Sequence, residues 1–217
     1  MINLKLSIAA ASLVGAALTF VPADASACAP YGLIGAKWTE LKSTLGNCVD
    51  DEYDDGAGGR IEQFQGGYVD WVQGQTQAFA VSGVIGNAWI TRYGGPAVTG
   101  HPTSDEFTIC DQWGYCGRMN TFGYGSESHQ SLVWNPGDGG ETCNAHSDNV
   151  CQVYGLINQD WDESETAGMP VDEAFTSGNH VYQWFQGMYF TFNQSNGAVC
   201  GYNNPEGFLM WQFGGPC

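Results

Sequence analysis

Apolar and polar residues fall along this chain in an order that recurs. In Arg60–Trp71, apolar positions stand on either side of Phe64-Gln65-Gly66-Gly67-Tyr68. In Val181–Phe192 they stand on either side of Phe185-Gln186-Gly187-Met188-Tyr189. Phe-Gln-Gly repeats without a gap, Tyr follows at the same offset, and an aromatic stands three residues further on, at Trp71 and Phe192. Both segments run on to a similar tetrapeptide, Ala80-Val81-Ser82-Gly83 and Ala198-Val199-Cys200-Gly201. An internal repeat is the first feature to settle in any sequence. The pattern predicts β-hairpins, because Gly supplies the positive φ that tight turns need.

Two further blocks recur. Gly-aliphatic-Ile-x-x-x-Trp occurs at 32–38, 83–89 and 155–161. Ile and Trp four apart share one helical face, so each copy predicts a helix of one or two turns that turns both inward. The other block is Gly46–Tyr53, Gly100–Phe107 and Gly168–Phe175, an acid-containing turn. Asp51 and Asp105 align there with Glu173, and Glu52 and Glu106 align with Ala174. Arg60 and Arg118 stand four residues before Phe64 and Phe122, while the last copy has Val181 in that place. The chain therefore divides into units at about 29–82, 80–154 and 152–201, with a tail at 202–217. Residues 125–150 form a Gly-, Ser-, Asn- and Asp-rich insertion, read as loop. The apolar residues of the tail, Phe208, Leu209, Met210, Trp211 and Phe213, are expected to cap the last unit.

The N-terminus follows a different pattern. Lys5 precedes an apolar run from Leu6 to Phe20, and Ala25-Ser26-Ala27 gives small residues at a cleavage position. Residues 1–27 read as a secretory signal peptide, too short in its apolar run for a membrane span. The remainder, 28–217, reads as a single domain. Ala25-Ser26-Ala27-Cys28 lacks the large aliphatic residue expected before a lipidated cysteine. The eight cysteines are even in number, as disulfides in an exported chain require. Cys110 with Cys116 and Cys143 with Cys151 are local pairings, and Cys200 with Cys217 would pin the tail. Zinc fits poorly: no Cys-x-x-Cys occurs, and His101, His129, His146 and His180 are scattered.

Six Lys and Arg stand against 23 Asp and Glu. That balance argues against a nucleic-acid partner and against anionic lipid surfaces, since phosphate binding rests on clustered cations. Neutral polymers remain, as do cationic ligands.

Taken in order, Gly-x-Pro-[Thr/Val]-[Ser/Asp]-[Asp/Glu], Gly-Arg, Phe-Gln-Gly-x-Tyr and Gly-x-Ile-x-x-x-Trp resemble the LGFP repeat. The namesake tetrapeptide is altered to Leu45-Gly46-Asn47-Cys48, Thr99-Gly100-His101-Pro102 and Ala167-Gly168-Met169-Pro170. The resemblance implies a secreted or surface location and a role in anchoring to cell-wall polysaccharide. It also implies a fold that is mainly β with short helices. Three tandem repeats would be arranged compactly about a pseudo-symmetry axis, somewhat like a small propeller. The cysteine content departs from the family's usual pattern and adds disulfide stabilisation.

Asp51-Glu52 and Asp105-Glu106 invite reading as catalytic pairs. Glycoside hydrolysis, however, needs two carboxylates set across one bond, with pKa values pushed apart. A catalytic site is normally singular, and an acid that recurs in each unit is more often a brace for a turn. Arg60 and Arg118 are the natural salt-bridge partners of those acids. A calcium loop at Asp50–Gly56 fails the spacing of an EF-hand. No Gly-x-Ser-x-Gly elbow occurs, and Ser128-His129 does not by itself make a triad. Asn193-Gln194-Ser195 is a glycosylation sequon. Trp38, Trp89 and Trp161 hold one repeat position and are read as core.

The residues expected to meet a ligand are Asp51, Glu52, Tyr68, Trp71, Asp105, Glu106, Trp134, Glu173, Tyr189 and Phe192. Aromatic faces stack on sugar C–H groups while acids and amides take the hydroxyls. The first reading is a non-enzymatic module that binds cell-wall or other extracellular polysaccharide, with no cofactor and no metal. The second is a secreted hydrolase with its site near Asp105, Glu106, His129 and His146. The third is a structural surface protein that associates with itself or with a partner protein.

Overall fold

The computed structural model describes residues 28–123, 130–136, 143, 146–161, 167–203, 209–213 and 215–217. The expected leader at 1–27, His129, Phe208 and much of the middle insertion lie outside them.

Helix α1 (Gly32–Glu40) and the short α2 (Lys42–Leu45) come first. They lead to an antiparallel sheet, β1 (Tyr53–Asp54), β2 (Gly59–Phe64), β3 (Gly67–Val72) and β4 (Phe79–Ser82), paired in chain order. β4 runs directly into α3 (Gly83–Thr91), and α4 (Pro96–Thr99) follows. The second sheet holds β5 (His101–Pro102), β6 (Phe107–Cys110), β7 (Cys116–Gly123), β8 (Gln130–Trp134) and β9 (Val150–Tyr154). In it, β7 pairs with β5, β6 and β8, and β8 pairs with β9. β9 runs into α5 (Gly155–Asp160). The third sheet is β10 (Phe175–Ser177), β11 (His180–Trp184), β12 (Met188–Asn193), β13 (Val199–Asn203) and β14 (Leu209–Phe213), paired in chain order.

The hairpin and helix expectations hold. Phe64 pairs with Gly67 across Gln65-Gly66, and the Phe185 N–H donates to the Met188 carbonyl across Gln186-Gly187. Each helix opens on its motif Gly in the left-handed region, with φ of 59° at Gly32, 56° at Gly83 and 59° at Gly155. This conformation lets a strand turn into a helix within one residue, and it strains any side-chain-bearing residue. Ile34, Ile85 and Ile157 are buried. The indole N–H of Trp38 donates to the Gly46 carbonyl, that of Trp89 to Thr99 Oγ1, and that of Trp161 to the Gly168 carbonyl. Each indole also packs on the hairpin Phe, with ring centroids 6.2 Å apart for Trp38–Phe64 and 5.5 Å for both Trp89–Phe122 and Trp161–Phe185.

Alternation along the strands divides each sheet's residues between two cores. Phe64, Val69 and Ala80 pack with Ile34 and Leu45, while Ile61 and Val81 pack with Ile85 and Trp89. Phe122, Leu132 and Val150 join that second core. Met119, Val133 and Val153 pack on the other side with Ile157 and with Phe185, Phe190 and Val199 of the third sheet. The order of layers is thus α1, first sheet, α3, second sheet, α5, third sheet. The expected propeller-like ring is not formed among the described residues. The three sheets are open, and the main packing runs between successive layers. A ring would need a wedge of space about a common axis, and a helix inserted between each pair of sheets stacks them instead.

The fold is mainly β with a few short helices. Its disulfides are Cys28–Cys48, Cys110–Cys116, Cys143–Cys151 and Cys200–Cys217. Three of the four are the local and tail pairings expected from spacing. The tail contributes β14, which adds a strand beside β13. No helix among the described residues is long and apolar enough to cross a membrane.

Candidate functional site

The recurring acids are tied to their neighbours. Arg60 Nε donates to Glu52 Oε1 at 2.7 Å, and the Tyr31 hydroxyl donates to the same oxygen at 3.2 Å. Arg118 Nε donates to Glu106 Oε1 at 2.7 Å, and Ser82 Oγ, at the position matching Tyr31, donates to Glu106 Oε2 at 2.9 Å. Asp105 accepts from the Ala80 N–H at 2.8 Å and from Lys37 Nζ at 2.7 Å. Glu173 accepts from the Gln152 N–H at 3.2 Å and from the Tyr93 hydroxyl at 2.5 Å, and His146 Nε2 lies 3.3 Å away. Ala80 and Gln152 lie on the last strands of the first and second sheets, so Asp105 and Glu173 join one sheet to the next. Asp51 is exposed, just before β1.

A buried amide does related work one strand away. Asn120 Nδ2 donates to the carbonyls of Ala80 and Ser104, and Gln183 Nε2 donates to those of Gln152 and Asp172. The matching residue of the first sheet is Glu62, 1% exposed, with Oε2 unpaired. Burial lifts its carboxyl to about 7, and the charges of Glu52 and Asp51 push the same way. This position reads as unremarkable in the sequence, because nothing marks a strand Glu as buried.

Most of the expected aromatic contacts flank cores. Tyr68 and Trp134 pack against the core around Trp89, Trp71 against the one around Phe64, and Phe192 against the one around Phe185. Trp71 also closes one side of an open cleft with Tyr31, Leu33 and Glu52.

Tyr189 is placed differently. Residues paired in register share a face of the sheet, so Phe175, His180, Tyr182, Trp184, Tyr189 and Tyr202 all lie on the side of the third sheet away from α5. Ring centroids are 5.4 Å apart for Phe175–Tyr182, 4.6 Å for Trp184–Tyr189 and 5.0 Å for Tyr189–Tyr202. The first and last of these pairs are stacked. Burial, with Tyr202 and Tyr182 close by, raises the Tyr189 phenol pKa. Thr191 and Asn193 complete this face on β12, and no residue that β10–β13 place there is acidic. The equivalent faces of the first two sheets carry Ile61 and Val81, or Met119, Val133 and Val153, and are covered by α3 and α5.

A second concentration of chemistry lies where the first sheet meets β5. Asp55, Asp70 and His101 bring their side chains together, with Asp70 and His101 lining a cleft of about 180 Å³. Burial pushes the Asp70 carboxyl up to about 6, against the hydrogen bond and charge of His101. The hydrogen bond to Asp70 raises the His101 pKa. Sequence reasoning left this group unmarked, because the three residues come from a turn, a strand and the next segment's first strand. Among the described residues, two other groups that could hold an ion, around Glu62 and Glu173, depend on cysteines that are disulfide-bonded and offer no thiolate.

These features define a disulfide-bonded, mainly β protein whose helices are wedged between small sheets, with braces between sheets and one open aromatic face. The family model for the LGFP repeat matches residues 45–95, from the end of α2 through the first sheet and α3. Over that segment the chain is similar to an LGFP repeat, which supports the resemblance read from its motifs. No curated protein gives a significant match.

Proposed function

We propose that the chain is a non-enzymatic, extracellular module that binds a neutral polysaccharide of the cell wall, and that its three sheets are three copies of one LGFP-type unit. The observation that carries the reading is the aromatic face of the third sheet. Its rings are spaced by about the length of a sugar unit and carry hydroxyl, imidazole and indole groups at their edges. Aromatic faces stack on apolar surfaces, and the polar tips take hydrogen bonds from a wet ligand. The two equivalent faces that do receive helices put Ile61, Val81, Met119, Val133 and Val153 against them, with Tyr68 edge-on to Trp89. In a chain with formal net charge −17, a face free of carboxylates suits a neutral partner. Four disulfides fit an oxidising, extracellular setting.

The bonds made by the braces favour a structural role for these acids over the hydrolase reading. Asp105 and Glu106 are both held by cations and by bonds to the first sheet, which suits them to joining sheets. The test is co-sedimentation of the oxidised protein with insoluble cellulose, chitin, β-1,3-glucan and mannan, in moderate salt with chelator. Binding to at least one polymer is expected, and Trp184→Ala or Tyr189→Ala should weaken it about tenfold, roughly 1.4 kcal/mol. Absence of binding to all four, or binding that neither substitution changes, overturns the reading.

A further inference from the structure

The meeting of Asp55, Asp70 and His101 has the form of a metal site. Asp55 sits in the turn between β1 and β2, and its Oδ1 accepts from the N–H groups of Ala57, at 2.7 Å, and Gly59, at 2.9 Å. Those bonds turn Oδ2 inward. Asp70 projects from β3 and places Oδ1 2.8 Å from His101 Nδ1, while Asp55 Oδ2 lies 3.4 Å from the same nitrogen. The side chains are 0% exposed for Asp55 and 1% for Asp70. Even so, Oδ2 of Asp55 and Oδ2 of Asp70 accept no hydrogen bond. An unpaired buried polar atom is costly, more so when charged, and two carboxylates together repel. The hydrogen bond with His101 Nδ1 engages Asp70 Oδ1 and not the Oδ2 atoms.

Three further features fit an ion. One ligand atom from each residue lies within 4.8 Å of the others. The far ring nitrogen, Nε2, faces the Ala57 carbonyl at 3.4 Å. A backbone carbonyl on the free N–H is the usual outer partner of a metal-bound histidine, fixing which nitrogen is left to bind. Gly59 keeps the space open: a Cβ there would run into Asp55 Oδ2 and come within 2.9 Å of His101 Cε1. Asp70 and His101 also line the cleft of about 180 Å³ that lies beside the group.

We infer that Asp55 Oδ2, Asp70 and His101 Nδ1 bind a divalent transition-metal ion of the zinc class. One imidazole with two carboxylates is a borderline-hard donor set that such ions accept, with three protein ligands and an open position. The charges balance. Two carboxylates with an imidazolium carry −1; two carboxylates, a neutral imidazole and M²⁺ carry none, and the Nδ1 proton leaves to the buffer. The ion would tie the β1–β2 turn and β3 to the start of the second sheet. This site is separate from the aromatic face, so the polysaccharide reading stands or falls without it.

The experiment is titration of the untagged, metal-free, full-length folded protein with Co²⁺, followed by visible absorption, and with Zn²⁺, followed by calorimetry in two buffers of different protonation enthalpy. One equivalent of ion is expected, with release of about one proton and displacement of Co²⁺ by Zn²⁺. Asp70→Asn and His101→Gln should each weaken binding at least tenfold, whereas His146→Gln and His180→Gln should leave it unchanged. Thermal unfolding of the unsubstituted protein should move upward with Zn²⁺. Lack of saturable uptake by the unsubstituted protein overturns the inference whatever the variants do, and leaves the three residues as a buried ionic clasp. Binding of normal strength in folded Asp70→Asn overturns it equally.

Discussion

Replacing Glu62 by Gln should stabilise the protein, and only above a certain pH. Glu62 occupies the place where the other two sheets have Asn120 and Gln183, both of which donate to buried carbonyls. A carboxylate cannot donate, and its Oε2 lies unpaired within reach of the Cys28–Cys48 disulfide. Burial moves its pKa from the ordinary value of 4.5 to about 7. The folded state therefore holds a proton that the unfolded chain gives up. Below about pH 4.5 both states are protonated, and Glu62 carries no penalty. As pH rises through about 7 the penalty grows to its full size, because the folded state must either keep the proton or bury a charge. At ~1.4 kcal/mol per pKa unit, the ceiling is ~3 kcal/mol, and screening by water around Asp51 brings the expectation to ~1–3 kcal/mol. For a protein of this size that corresponds to a gain of ~2–10 °C in melting temperature. Glu62→Gln and the unsubstituted chain should be compared by thermal and urea unfolding at about pH 4.5 and pH 8, with disulfides intact. Stabilisation confined to the higher pH is expected. Equal effects at the two pH values, or a loss at pH 8, would refute the account of a buried, unpaired carboxyl.

Two further substitutions test the architecture. Asp105→Ala removes the acceptor of the Ala80 N–H and the partner of Lys37, so it should lower stability by ~1–3 kcal/mol in urea unfolding and leave polymer binding intact; lost binding at unchanged stability would contradict the bracing role. Trp89→Phe takes the indole N–H from the buried Thr99 hydroxyl and leaves a void between α3 and the second sheet, which should cost ~1–3 kcal/mol; a stability within experimental error of the parent would show that the layers are held by something else.

Sequence periodicity was informative where physics is local. A Gly that must adopt positive φ, an Ile and Trp four residues apart, and a Phe-Gln-Gly turn each impose their own geometry. The three motif helices, the hairpins at Phe64 and Phe185 and the nearby disulfides were therefore legible before any coordinates. Arg60 and Arg118 were legible too, because each reaches an acid within a dozen residues of itself.

What the sequence alone could not decide was which face of each strand meets which neighbour. Period-2 alternation places Tyr189, Tyr202 and Trp184 on one side of the sheet once the register is known, but not on the open side. That follows from α5 taking the opposite face, and Tyr68, at the matching position of the first sheet, lies under α3 instead. Stacking likewise decided against a ring, since ring or stack depends on how wedged helices orient whole sheets and on no single motif. The meeting of Asp55, Asp70 and His101 is the clearest case. Residues up to 46 positions apart in the chain acquire a shared chemistry only when the first sheet closes on β5, because burial and charge act through space, and neither is written in the order of the residues.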